Sequence, residues 1–193
     1  MKFIQLVLLC LALVPLLVLP VYSQSSPQTD SLQIKLDEAR SLRRTNPDLS
    51  MQKALAVKAL AQQLGKKREL ALAEQVLVGV YAEKANYLAA VESGIRALEL
   101  FENLGMDRER CISNIHMGIV NRYQRQLRRS LEYYREAEQL AEKNNYDTLM
   151  SSIWGNMGNV YYDLKELDQA LQYHEQSLAV DQRLGNDQGV GNS

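Results

Sequence analysis

The chain has 193 residues, of which 46% are hydrophobic and 23% charged, and its formal net charge is −1. That apolar share is enough to bury a core, and a near-neutral balance carries none of the global basic signature of a nucleic-acid binder. Only two cysteines are present, Cys10 and Cys111, too few for a disulfide framework.

Residues 1–23 have the pattern of a secretory signal peptide. Lys2 is a short basic start, Phe3 to Leu19 is an almost unbroken apolar run, and Val21-Tyr22-Ser23 offers small residues at the positions that precede cleavage before Gln24. The alternative is an uncleaved membrane anchor, but the run from Phe3 to Leu19 is interrupted by Pro15 and is short for crossing a bilayer. Cys10 is not a lipoprotein site, because Leu9 stands before it where a small residue is needed. Export places the mature protein in the periplasm or outside the cell. Residues 24–29 form a polar Ser/Gln/Pro linker.

From there the apolar pattern is helical, with no strand alternation. A first pair of helices is expected over 30–44 and 48–64, with an Asn46-Pro47 turn between them and Asp48 as a cap. A second pair falls at 68–83 and 87–104, and a third at 108–124 and 127–143. The fourth pair is the clearest. Ile153, Met157, Val160, Tyr161 and Leu164 lie on one face of a helix over 147–164, and Leu167, Ala170, Leu171, Leu178 and Leu184 are the inward set of the next, 167–184. Lys165-Glu166 leaves only a tight turn, so the two helices run antiparallel.

These pairs repeat at a fixed step. Leu64-Gly65, Leu104-Gly105 and Leu184-Gly185 lie on a 40-residue grid, and Asn144-Asn145 occupies the missing beat. Asn is the usual substitute for Gly just past a helix end. Ser50, Ala90, Ser130 and Ala170 form a column of small residues, and Leu60, Leu100, Leu140 and Val180 an aliphatic one. Self-similarity at such a period indicates stacked repeats. The repeats are about 30–66, 67–106, 107–146 and 147–186, and 187–193 begins a fifth.

The row Trp154, Met157-Gly158, Tyr161, Ala170 resembles the tetratricopeptide repeat (TPR) pattern, a tryptophan, a hydrophobic-glycine pair, a tyrosine and then a small residue. The 40-residue period resembles the longer TPR variety, and HEAT-type repeats of similar period lack the Gly158/Tyr161/Ala170 row. In repeat 3 Met117-Gly118 keeps the pattern, while Asn114 and Asn121 replace the aromatic residues. The resemblance covers about residues 30–186. It implies an all-α fold, an α-solenoid of stacked antiparallel hairpins in a TPR superhelix. The array is expected to continue beyond Ser193, because no polar capping helix follows the fourth repeat. A partner or second copy covering the open end is the alternative.

No enzyme constellation is present, so neither catalysis nor a cofactor or metal is expected. The two histidines, His116 and His174, belong to no paired-ligand or nucleophile motif. His174 stands where the repeat expects an aromatic, which points to packing. Gly79, Gly118 and Gly158 read as packing glycines inside helices, not a phosphate loop. Cys111 reads as a small buried hydrophobe. Arg122, Arg125, Arg128 and Arg129 form a basic cluster at the turn of repeat 3, read as solvated surface with an acidic partner patch as the alternative.

The resemblance implies that the first helices of the repeats line a concave face that takes a peptide. Its positions in repeat 4 are Ser152, Gly155, Asn156, Asn159 and Tyr162; in repeat 3, Ile112, Ile115, His116, Ile119 and Arg122; in repeat 2, Leu72, Gln75, Val76, Gly79 and Ala82. Such a groove is apolar toward repeat 2 and polar toward repeat 4. Asn156 and Asn159 match asparagines that hold a ligand's backbone in related long TPRs, because an amide both donates and accepts. Tyr162, His116 and Arg122 complete the expected partner-binding set. The lysine and asparagine pattern that captures a C-terminal carboxylate is absent. Two functions follow: an exported interaction scaffold for a protein or peptide, or the N-terminal sensor of a longer signalling protein. Such a protein would carry a histidine kinase, cyclase or transcriptional output domain. Membrane contact is expected only through an uncleaved N-terminal segment or a further C-terminal region, and nucleic acid is not an expected partner.

Overall fold

The computed structural model describes residues 27–185, with side chains from 31 onward, and everything in that span is helix or tight turn. The expected export signal at 1–23 and the start of a fifth repeat at 187–193 lie outside the described residues. The helices are α1 (Pro27–Leu42), α2 (Pro47–Gln63), α3 (Lys67–Glu83), α4 (Tyr87–Asn103), α5 (Asp107–Tyr123), α6 (Leu127–Asn144), α7 (Asp147–Leu164) and α8 (Leu167–Arg183). The odd-numbered helices begin at 27, 67, 107 and 147 and the even-numbered ones at 47, 87, 127 and 167. The helix starts therefore keep the same step as the sequence columns. Three residues read as linker, 27–29, already belong to α1, where Pro27 occupies a first-turn position that needs no backbone N–H.

One turn design joins the helices. At 64–66 the Lys66 amide donates to the Ala61 carbonyl at 2.8 Å and the Gly65 amide to the Gln62 carbonyl at 3.2 Å. This is the Schellman arrangement, and it requires a left-handed residue just past the helix. The pairs Asn86–Tyr81, Met106–Phe101, Gln126–Asn121, Tyr146–Ala141 and Glu166–Tyr161 repeat the longer bond at 2.9 Å. Gly65, Gly105, Asn145 and Gly185 supply the left-handed residue in one column, at φ of 65°, 64°, 56° and 69°. A second column, Ala85, Arg125 and Lys165, adopts the same conformation without glycine, at φ of 54°, 62° and 67°. The turn before α2 differs. There Asn46, not Asp48, is the cap, because its side-chain oxygen accepts from the Leu49 amide at 3.1 Å. Asp48 instead pairs with Lys84.

Within each hairpin the small column marks the closest approach. Ser50, Ala90 and Ser130 are fully buried and Ala170 nearly so. The Ser50 hydroxyl donates to the Ala39 carbonyl at 2.6 Å and that of Ser130 to the Gly118 carbonyl at 2.7 Å. Gly118 lies against the buried Tyr134 ring and Gly158 against the His174 ring, so both are packing glycines as expected. Gly79 is also packed, but against the side chain of Arg43, in the turn that follows α1, instead of an aromatic ring of its own hairpin.

The interior divides into a cluster around Leu36, Leu77 and Phe101, a second around Tyr134, Ile153 and Met157, and a small third of Val78, Ala90 and Val120. α3 is buried along its whole middle, Ala71 to Val80, because hairpins flank it on both sides. α8 departs from expectation. Ala170 is buried, but Leu167 and Leu171 are 59% and 60% exposed, and Leu184 is also exposed. Among the described residues no helix packs on α8 besides α7, so its leucine stripe has nothing to cover it. Cys111 is buried, its thiol donating to the Ala137 carbonyl at 3.3 Å, and burial pushes it up to about 11. That is an inert thiol.

Candidate functional site

The odd-numbered helices touch one another in series, α1 to α3 to α5 to α7, whereas no two even-numbered helices touch. The row with the closer spacing is the inner row of the stack, so its free face is the one that faces inward. Two cavities open on it.

The first, of about 470 Å3, lies between α1, α3 and α5. Leu72, Val76 and Ile112 form its apolar floor, and Arg40, Arg43, Arg68 and Arg108 stand around it with Glu109 as the one acid. Gln75 is fixed there. Its amide nitrogen donates to the Ser113 hydroxyl and to the Glu109 carbonyl, both at 3.0 Å. The second cavity, of about 390 Å3, adjoins the first and shares Arg43 and His116 with it. Val78, Ala82, Ile119, Val120 and the Tyr87–Tyr123 pair, whose rings stack 6.1 Å apart, form its apolar side, and Arg44 and Glu83 join Arg43 and His116 on the polar side.

Arg43 lies between the two. Its side chain crosses α3 over Gly79, where an added Cβ would come within 2.7 Å of Arg43 Cδ, so a larger residue there would displace it. Glu83 is 3.9 Å from Arg43 Nε, too far for a hydrogen bond. His116 Nδ1 is cut off from solvent and has no hydrogen-bond partner. Burial, and secondarily the Arg43 charge, lower His116 from its ordinary 6.5 to about 4. The ring is therefore neutral at neutral pH, with one nitrogen to donate and one to accept.

The expected partner-binding residues separate. His116 sits at the junction of the cavities. Arg122 is committed elsewhere: its Nε donates to Asp163 at 2.7 Å, and Arg125 reaches the same carboxylate at 3.8 Å. This acid from α7 satisfies half of the basic cluster, and Arg129 lies over the Tyr133 ring, so the cluster is tied into the chain's own surface. Asn156 donates back to the Ser152 carbonyl at 2.7 Å. Asn159 is half-buried. Tyr162 is 57% exposed, with the Lys165 ammonium 5.3 Å from its ring centre. None of these three lines either cavity.

The expected polarity also changes. Leu72 and Val76 are buried at the floor of the first cavity, so the repeat 2 side of the inner face presents arginines at its rim as well as the expected apolar residues. Arg40 and Arg43 come from the terminal repeat, where the repeat signature is weakest. Arg68 and Arg108 do share a column, one repeat apart, which was the one available signal for them. Among the described residues no group of three His, Cys, Asp or Glu is placed to hold a metal.

A family model for the tetratricopeptide repeat matches residues 151–184, inside the repeat with the fullest signature. No curated protein matches the chain. Among solved structures, aspartyl phosphate phosphatase F from Bacillus subtilis aligns with a TM-score of 0.76 at 15% identity, over 83% of this chain and 43% of that one. BtubC (BKLC) from P. vanneervenii aligns with a TM-score of 0.56 at 20% identity, over 80% of this chain and 72% of that one. This chain thus spans less than half the length of the phosphatase. At these identities the likeness is one of fold.

Proposed function

We propose that this tetratricopeptide-type repeat protein, a helical scaffold of the protein-interaction kind, holds a peptide segment of a protein partner along its inner face, outside the cytoplasm. The carrying observation is the pair of adjoining cavities that share Arg43 and His116. Together they make one continuous cleft across three repeats, with an apolar floor and polar groups at intervals, as peptide grooves require. Asn159 and Tyr162 extend the same face toward repeat 4 and would contact a longer ligand. The export-signal pattern at 1–23 supports the location. A sensor at the head of a longer protein would use the same face.

A photo-crosslinking residue placed at Ile119, in the cleft, or at Gln139, on the outer surface of α6, tests this. Partner captured from envelope extract should crosslink from position 119 and not from 139. Crosslinking from 139 alone would refute the inner-face site.

A further inference from the structure

We propose that the arginine-lined cleft takes side-chain carboxylates of an acidic partner segment, while the adjoining cavity takes an aromatic or aliphatic side chain of the same segment. The proposal rests on the inner-face site and adds the chemistry of what it holds. Guanidinium groups from three helices line one cleft against a single acid. A carboxylate offers such groups two parallel hydrogen bonds each, a geometry that a solvated surface does not need.

The fold does not explain these arginines. Arg68 and Arg108 sit in the first turns of α3 and α5, where the positive end of the helix disfavours cations. No side chain caps either helix, neither from Lys66 nor from Met106. Arg108 has no ion pair among the described residues. Arg68 only reaches its neighbour Glu69 at 3.5 Å, and Arg40 pairs with Asp37 on its own helix at 2.8 Å. Exposed pairs of that kind contribute little and release easily. Arg43, at the junction of the two cavities, is paired only at 3.9 Å with Glu83, so a ligand carboxylate beside it would meet a weakly paired cation.

The second half of the ligand follows from the second cavity, where Val78, Ala82, Ile119, Val120 and the Tyr87–Tyr123 pair form an apolar side, with Arg43, Arg44, Glu83 and His116 at its edge toward the arginine cleft. A purely acidic chain would leave that space unfilled. A purely apolar one would bury the arginines without partners, at a cost that excludes it.

The probe is a fluorescein-labelled peptide of Glu-Glu-Phe repeats, compared with Lys-Lys-Phe and Glu-Glu-Ser counterparts and a single-stranded oligonucleotide. Binding to the full chain is read by anisotropy. The Glu-Glu-Phe peptide should bind tightest. Arg68→Gln/Arg108→Gln should weaken it by roughly tenfold or more, the scale of a charge-assisted hydrogen bond, with melting unchanged or slightly raised. Arg125→Gln/Arg129→Gln should bind as wild type. The His116 ring, followed by NMR, should titrate higher with the peptide bound, because a carboxylate offsets the Arg43 charge. Equal or tighter binding of the Lys-Lys-Phe peptide or the oligonucleotide, indifference to Arg68→Gln/Arg108→Gln, or no peptide binding at all would overturn the proposal. If the Lys-Lys-Phe peptide crosslinks from position 119 as well as the acidic one does, the acidic chemistry fails and the inner-face site stands. Crosslinking confined to position 139 removes the site itself.

Discussion

Gly118→Ala and Gly158→Ala are the same substitution at equivalent positions of two repeats, and the structure separates their effects. In a helix interior, alanine gains about 1 kcal/mol over glycine. At Gly118 the added Cβ would lie 2.5 Å from Tyr134 Cζ and 2.8 Å from Cδ1. Tyr134 is fully buried, so the ring cannot swing clear, and its hydroxyl already lacks a partner. Overpacking of this kind costs about 1–3 kcal/mol, and with a fixed aromatic ring the upper end applies. The net is a loss of about 2 kcal/mol, or roughly 4–8 °C in melting temperature for a chain of this size. At Gly158 the Cβ would lie 2.7–2.9 Å from three atoms of the His174 ring. His174 is exposed, so the ring rotates into solvent and the propensity gain survives. Gly158→Ala should therefore melt within about 1 kcal/mol of wild type, well above Gly118→Ala. Thermal unfolding by circular dichroism reads both. Equal losses in the two variants, or a Gly118→Ala protein as stable as wild type, would refute the assignment of Tyr134 as an immovable neighbour.

Three further outcomes can be measured directly. His116 titrates at about 4 in the fold against 6.5 as the ordinary value, so the unfolded chain takes up its proton first; the stability this represents, at most about 3 kcal/mol, is intact above the higher value and is lost as pH falls toward the lower. Wild type should lose urea resistance relative to His116→Gln as pH falls from 7 toward 4, so the gap between their midpoints should change over that range, and parallel curves would refute it. Ala85→Gly should stabilise by about 1 kcal/mol, because Ala85 is held at φ 54°, whereas Gly105→Ala, at φ 64° with nothing within 4 Å of the added Cβ, should lose about as much; a pair of unchanged midpoints would show that the turns relax. Asn156→Ala/Asn159→Ala should leave the fold within about 0.5 kcal/mol of wild type and weaken only ligands long enough to reach repeat 4, by about 0.5–1.5 kcal/mol per lost bond; loss of the helical signal would make the two residues structural.

The repeat was legible because packing repeats. The small column and the turn column recur once in every repeat, and each instance meets the same demand: a close helix crossing or a left-handed turn. The ion pairs Lys143–Asp107 and Arg183–Asp147 are also one contact made twice. What periodicity could not reveal was the second left-handed column. Ala85, Arg125 and Lys165 share no residue type, so the strain they accept leaves no mark in composition. The leucine stripe of α8 misled for a related reason. Its spacing specifies a face to be buried, but not whether anything in the described span buries it.

The inner face was less legible because it is where the repeat is broken. The column 36, 76, 116, 156 reads Leu, Val, His, Asn, and its members run from fully buried to half-buried. Variation within a column says that packing does not dictate the residue, and it leaves open which neighbours a side chain meets. The decisive contact, Arg43 lying over Gly79, crosses columns and joins a poorly patterned first repeat to a well-packed second one. A glycine read from sequence as a packing position on the inner face is in the structure packed under an arginine. That exchange gives up a side chain on α3 that would otherwise have favoured the helix, and it brings a cation to the edge of two cavities.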